Sequence, residues 1–206
     1  MPKSVASRVS SSIERLPEQS FVRVRDLEVR IGATRHAIEV ALSRLAAADT
    51  VQSVGRGVYW KGRHTRGGMQ PPSALQLGIE VGGVGSGPVD VSAARFLGLT
   101  SQVPVAVHVG VPGRARAALP GIRFHARPHS RKLHALRPAE VAVLEVLRMW
   151  PSGVESEWST LQRRVGALIK QGVVRVAVVG AALRDERTPD ARRHWQRLSD
   201  RFSGSR

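Results

Sequence analysis

Thr34, Arg35, His36, Glu39 and Ser43 place hydroxyl, guanidinium, imidazole and carboxylate groups within one short stretch of this 206-residue chain. Their shared chemistry is directional hydrogen bonding. A guanidinium can grip guanine bidentately, a carboxylate can accept from the amino group of cytosine, and hydroxyls and imidazoles serve either strand of a duplex. Glu39 has a second reading, because one turn from Arg35 it can also orient the arginine through an i, i+4 pair. Covalent chemistry has less support. No nucleophile, base and orienting acid declare themselves together, so a non-enzymatic chain is expected. The absence of cysteine excludes disulfides, thiolate catalysis and thiolate metal sites. His125, His129 and His134 match no zinc spacing and stand among Arg123, Arg127, Arg131 and Lys132, whose charges oppose a dication, so no metal is expected. Gly82-Gly83-Val84-Gly85-Ser86-Gly87 reads either as a phosphate-cradling loop ahead of an Asp90 helix or as a flexible loop; it lacks a following Lys-Ser/Thr pair. No cofactor is expected.

The elements that position the first group are legible in residues 21 to 61. From Thr34, a plausible N-cap after the turn at Gly32, Ile38, Leu42 and Leu45 recur at helical spacing with Ala37, Ala41 and Ala48 beside them. That stripe is buried, so Arg35, His36, Glu39 and Ser43 face outward near the helix start, where a recognition helix meets base edges. Upstream, Leu27 and Ile31 mark one short helix, and Val5, Val9, Ile13 and Leu16 an earlier one. Downstream, Val51 to Val54 and Val58 to Trp60 are β-rich runs joined by Gly55-Arg56-Gly57, a tight hairpin. Three helices and a hairpin in this order predict a winged helix-turn-helix. Arg56 projects from the wing, and Arg23, Arg25 and Lys61 surround the same surface. The predicted DNA-binding residues are therefore Arg25, Thr34, Arg35, His36, Glu39, Ser43, Arg56 and Lys61. A protein-docking module with a solvated basic face is the alternative.

Charge agrees with an anionic partner without locating it. The chain carries 32 Lys and Arg against 16 Asp and Glu, a net charge of +16. The excess extends over both halves, and arginine dominates the basic residues throughout. No apolar run approaches a membrane span and no secretory leader opens the chain, so a cytoplasmic location is expected.

Residues 63 to 72 lose hydrophobic periodicity, which divides the chain into 1–62, a linker 63–72, and a second domain 73–206. The second domain reads as mixed α/β with a small sheet and several helices, making the whole α+β. Helices are expected over Ser73 to Ile79 and Asp90 to Leu97. Val103 to Val111 predicts a strand, with Pro104 near its start and Ile122 to Ala126 as its partner. Three helices close the chain, around Pro138 to Trp150, Trp158 to Ile169 and Trp195 to Phe202. Val173 to Leu183 fits a buried strand or a helix equally.

Two blocks carry a family resemblance. AIEVALSRLAAADTVQSVGRGVYW is similar to a helix, turn and hairpin pattern ending in Gly-Val-Tyr, and DVSAARFLGLTSQVPVAVHVGVPGR resembles a run in which an Ala-Ala helix ends at Leu-Gly-Leu and passes through Thr-Ser-Gln-Val-Pro into a strand. Together they resemble an actinobacterial, mycobacterial-like member of the AbiEi antitoxin family of type IV (AbiE-type) toxin–antitoxin systems. The resemblance implies a transcriptional autorepressor whose winged helix binds inverted repeats in its own operon promoter. It also implies a C-terminal domain that counteracts a nucleotidyltransferase toxin of the AbiEii type, functionally or by direct contact. Thr34, Arg35, His36, Ser43 and Arg56 are the matching DNA-contacting positions. No family motif marks the toxin-facing surface, for which Arg114, Arg127 and Arg131 are the basic candidates. Binding to repeats requires either a dimer or monomers that cooperate on DNA. Two alternatives remain: a stand-alone transcription factor with an effector-sensing second domain, or a second domain that acts enzymatically on the toxin as a phosphotransferase, using the glycine loop with Asp90 or Lys132.

Overall fold

The structure, a computed structural model, describes residues 4–203. The chain is α+β and divides into two compact units, Met1–Ser73 and Ala74–Arg206.

In the first unit the order is α1 (Val5–Glu14), β1 (Ser20–Arg23), α2 (Val24–Ile31), α3 (Arg35–Ala47), β2 (Gln52–Gly55), β3 (Val58–Lys61), β4 (His64–Thr65) and β5 (Gly68–Met69). Val9 and Ile13 of α1, Val24, Leu27 and Ile31 of α2, and Ile38, Ala41 and Leu42 of α3 are buried together with Val22 and Val51. Each helix therefore contributes one apolar stripe to a shared core, which is how short helices of modest intrinsic stability persist. The ends follow from local chemistry: α2 stops at Gly32, whose φ of 63° is a left-handed C-cap, and α3 starts where the Thr34 hydroxyl accepts the Ala37 N–H at 3.4 Å.

The hairpin β2–β3 is joined by β1 into a three-stranded antiparallel sheet in the order β1-β3-β2, with Phe21 opposite Trp60 and Val22 opposite Tyr59. The strand β1 has no counterpart in the sequence reading. Residues 63–72, expected as a linker, instead carry the β4–β5 ribbon and belong to the first unit. Their attachment is specific: the indole N–H of buried Trp60 donates to the Gln70 carbonyl at 2.8 Å, and the Gly62 N–H to Met69 Sδ at 3.3 Å.

The second unit comprises α4 (Ala74–Gly82), β6 (Gly87–Pro88), α5 (Asp90–Phe96), β7 (Val107–Pro112), β8 (Ile122–Arg127), α6 (Ser130–Leu133), α7 (Pro138–Met149), α8 (Trp158–Lys170), α9 (Val176–Asp185) and α10 (Pro189–Ser203). Helix α7 is its centre, buried at every position from Ala139 to Leu147. Its core partners include Val89, Ala93 and Leu97 near α5, Leu161 and Val165 of α8, Val179 and Leu183 of α9, and Leu198 of α10. Val173 to Leu183, undecided from sequence, is a turn followed by α9. Two glutamates lie inside this apolar helix, and both are satisfied. Glu140 accepts the Arg137 N–H at 2.8 Å, the Arg175 N–H at 2.9 Å and Arg175 Nε at 2.7 Å, which closes the helix N-terminus with its own side chain.

Strands β7 and β8 run parallel, joined through residues 113–121, while β6 pairs with β7 antiparallel. Alternation along the strands decides what faces what. Val109, Val111 and Ile122 form one apolar layer with side chains of α4. His108, Gly110, His125 and Arg127 therefore share the opposite face, the one that meets Val89 ahead of α5.

Candidate functional site

Each unit carries polar residues whose placement bears on function.

In the first unit, burial of Ile38, Ala41 and Leu42 leaves the other side of α3 in solvent, and Thr34, Arg35, His36 and Ser43 are all exposed there. Arg35 is held rather than free. Its Nε donates to Glu39 Oε1 at 2.8 Å, with about half of each side chain exposed, at 54% and 40%. Its Nη2 also lies 3.2 Å from the point a Cβ would occupy on Gly57, so the guanidinium extends from the helix start to the hairpin turn. Gly57, at φ 70°, takes a conformation that suits glycine, and its carbonyl accepts the Val24 N–H at 3.0 Å, fixing the turn against the start of α2. Arg56, at the tip, is exposed, as is Arg25. Glu39 thus adopts the orienting role that its spacing allowed.

Lys61 departs from its expected role. Its ammonium donates to the carbonyls of Ile13, Glu14 and Leu16 at 2.8, 3.1 and 2.6 Å. Those oxygens close α1, where helical partners run out and the dipole is negative, so Lys61 is a cap whose donors are all engaged. Its ammonium is therefore turned to the end of α1, where the sequence had suggested a DNA contact.

In the second unit, the charges expected to face a partner turn inward. Arg131 is 1% exposed and donates to Glu145 at 2.6 Å and to Glu186 at 2.8 Å. Arg127 grips Glu145 through two bonds of 2.9 and 2.8 Å. Arg148 adds a third contact to Glu145 at 3.0 Å. Burial alone pushes the Glu145 carboxyl up, but the hydrogen bond from Arg127 and the charges of Arg131, Arg127 and Arg148 outweigh it and hold the group down at about 2. Arg127 and Arg131 are therefore interior ion-pair partners and not a toxin-facing surface, because charges buried at this depth persist only when paired. Arg114 alone of the three is exposed, in the 113–121 connection.

The glycine run also differs from both of its readings. Gly85, Ser86 and Gly87 are buried. A Cβ on Gly85 would lie 2.7 Å from the Arg131 carbonyl and the Lys132 nitrogen, and one on Gly87 would lie 2.6 Å from Val141 Cβ. These glycines permit close packing, Gly85 against backbone and Gly87 against the Val141 side chain; they are neither an open phosphate cradle nor a loose loop.

Beside this network, Asp90 of α5, His108 of β7 and His125 of β8 converge. His108 Nδ1 is 3.3 Å from Asp90 Oδ2 and 3.1 Å from His125 Nε2, while His125 Nε2 is 3.7 Å from the same Asp90 oxygen. Burial lowers the pKa of His125; Asp90 opposes this, and His108 and Arg127 reinforce it. The arrangement was invisible in the sequence. His108 and His125 were each readable as strand residues, but only the parallel register sets them side by side, and His129 and His134 lie elsewhere, His134 pairing with Asp185 at 2.8 Å.

No family model matches the chain, and no curated protein matches it. Among solved structures, that of the RV2827C protein from Mycobacterium tuberculosis is similar over 97% of this chain and 78% of its own, at 16% identity and a TM-score of 0.45. Among the described residues, no helix is long and apolar enough to cross a membrane.

Proposed function

We propose that the first unit is a winged helix-turn-helix that binds double-stranded DNA, with α3 as its recognition helix and the β2–β3 hairpin as its wing. The observation that carries this reading is the pairing of an exposed polar face at the start of α3 with a hairpin turn toward which the Arg35 guanidinium extends, with exposed Arg56 at its tip. Arg35, His36 and Ser43 are the base-reading candidates, Thr34 sits at the helix start where backbone N–H groups suit a phosphate, and Arg25 and Arg56 supply sequence-independent phosphate contacts. A net charge of +16 supports encounter with a polyanion.

The regulatory context we propose is that of an AbiEi-like antitoxin: repression of its own operon through inverted repeats, and neutralisation of a nucleotidyltransferase toxin by the second unit. Support for it is the pair of sequence blocks spanning both units. With Arg127 and Arg131 assigned to the interior, Arg114 is the remaining basic candidate for a toxin-facing residue.

The test is a titration of the full chain against the DNA upstream of its own gene, with random duplex as competitor at physiological salt. Preferential binding to the upstream DNA, weakening as salt rises, is expected. Equal affinity for both duplexes would overturn operator reading, and failure to restore growth when co-expressed with an adjacent nucleotidyltransferase gene would overturn the antitoxin context.

A further inference from the structure

We propose that Asp90, His108 and His125 form a binding site for a borderline divalent transition-metal ion, zinc in the first instance, with Asp90 Oδ2, His108 Nδ1 and His125 Nε2 as ligands. Their potential ligand atoms all lie within 4.8 Å of one another. The relevant separations are 3.1, 3.3 and 3.7 Å. Ligands on a tetrahedral ion with bonds of about 2.1 Å stand about 3.4 Å apart, so the observed triangle already has the edges such an ion requires. Two imidazoles and one carboxylate are a donor set suited to zinc and to neighbouring first-row dications.

The scaffold is prepared for this. The Val89 N–H donates to the His108 carbonyl at 3.0 Å, and the His108 N–H to the hydroxyl of buried Ser92 at 2.9 Å. The start of α5 is thereby pinned to β7 on both sides of Asp90. The second oxygen, Asp90 Oδ1, lies 3.6 Å from Arg127 Nη2, an outer contact that orients the carboxylate and leaves Oδ2 for the ion. The repulsion from the nearby cations is reduced, because Glu145 and Glu186 pair with Arg127, Arg131 and Arg148 and offset two of their three charges. The side chains of Asp90, His108 and His125 remain 46%, 23% and 32% exposed, so an ion can enter and keep a coordination position open to water or an anion. The imidazole rings are inclined at 23°, and convergence of their lone pairs on one centre requires a turn about χ2, a soft torsion in histidine.

The test uses the full chain stripped with a chelator and titrated with Co(II), followed by visible absorption and then by displacement with Zn(II). Intense ligand-field bands saturating at one ion per chain and abolished by Zn(II) are expected. H125A and D90N should lose the bands, while H129A, at an exposed histidine outside the cluster, should keep them. Far-UV circular dichroism checks that each variant is folded. If a variant does not fold, the wild-type protein decides through the histidine ring resonances, of which those of His108 and His125 should shift on Zn(II) binding. Absence of the bands in the wild type, their survival in both H125A and D90N, their loss in H129A, or shifts confined to other histidines would each overturn the assignment.

Discussion

Replacing Glu145 by glutamine removes one negative charge from the centre of a buried three-arginine network while keeping the side-chain shape. The cost follows from the depressed pKa. Glu145 moves from an ordinary 4.5 to about 2. That depression corresponds to about 3 kcal/mol of stability at neutral pH. Breaking a buried ion pair by removing one partner costs about 3 to 5 kcal/mol, because the other partner is left uncompensated, so Glu145→Gln should destabilise the second unit by about 3 kcal/mol or more. The sign of the pH dependence is set by the same shift. With the folded pKa below the unfolded one, the stabilisation is complete above the unfolded value, near 4.5, and disappears as pH falls through the folded value, about 2. Urea unfolding of both proteins, each with Trp60 replaced by phenylalanine so that the fluorescence comes from Trp150, Trp158 and Trp195 of the second unit, gives the gap between them at each pH. It should be widest at neutrality and should close as acid protonates Glu145 in the parent protein. A neutral-pH gap under about 1 kcal/mol, or one that stays constant into acid, would refute the argument that charge on Glu145 stabilises the unit.

Arg35→Ala should lower affinity for the upstream DNA more than for random duplex, by about 1 to 3 kcal/mol, whereas Arg56→Ala should weaken both alike; equal losses for Arg35→Ala in competition titrations would argue against base reading there. Lys61→Met should destabilise the first unit by about 1 to 3 kcal/mol, because the part-buried carbonyls of Ile13 and Leu16 lose their donor, read by thermal melting. If it instead lowers DNA affinity without changing the melt, Lys61 belongs to the interface. Gly85→Ala sets a Cβ 2.7 Å from backbone atoms at a φ of +82° and should lower the melting temperature of the second unit, a change that close packing demands and an open loop would not show.

Much of the first unit was legible because its signals are local. The stripe Ile38, Leu42, Leu45, the cap Thr34 and the turn Gly55-Arg56-Gly57 each involve residues within a few positions of one another, and helix and hairpin formation depend on such neighbours. Strand β1 escaped because four residues next to a helix declare themselves only through pairing with β3, across a long stretch of chain. Within Val173 to Leu183, the residues from Val176 became helix α9 by tertiary choice, burying Val179, Ala182 and Leu183 at helical spacing against α7 and its neighbours. The same distinction governs the candidate sites. The α3 face could be read from periodicity, but Arg127 and Arg131 looked like surface because Glu145 and Glu186 are distant in sequence. Lys61 resembled a phosphate contact for the same reason, since its acceptors lie at the end of α1. The Asp90, His108 and His125 group depends on strand register, which nothing local specifies.

The indole of Trp60 has a consequence for anyone excising the DNA-binding unit. This ring is 2% exposed, and its N–H is satisfied by the Gln70 carbonyl, beyond the end of the three-stranded sheet. A truncation after residue 62 would strip away that acceptor and the Met69 side chain over Gly62, orphaning a buried donor at a cost of about 1 to 3 kcal/mol. The natural scissors point lies instead after Ser73. A fragment cut there keeps its own lid on Trp60, and weak DNA binding by a shorter piece would report a frayed sheet before it reported anything about recognition.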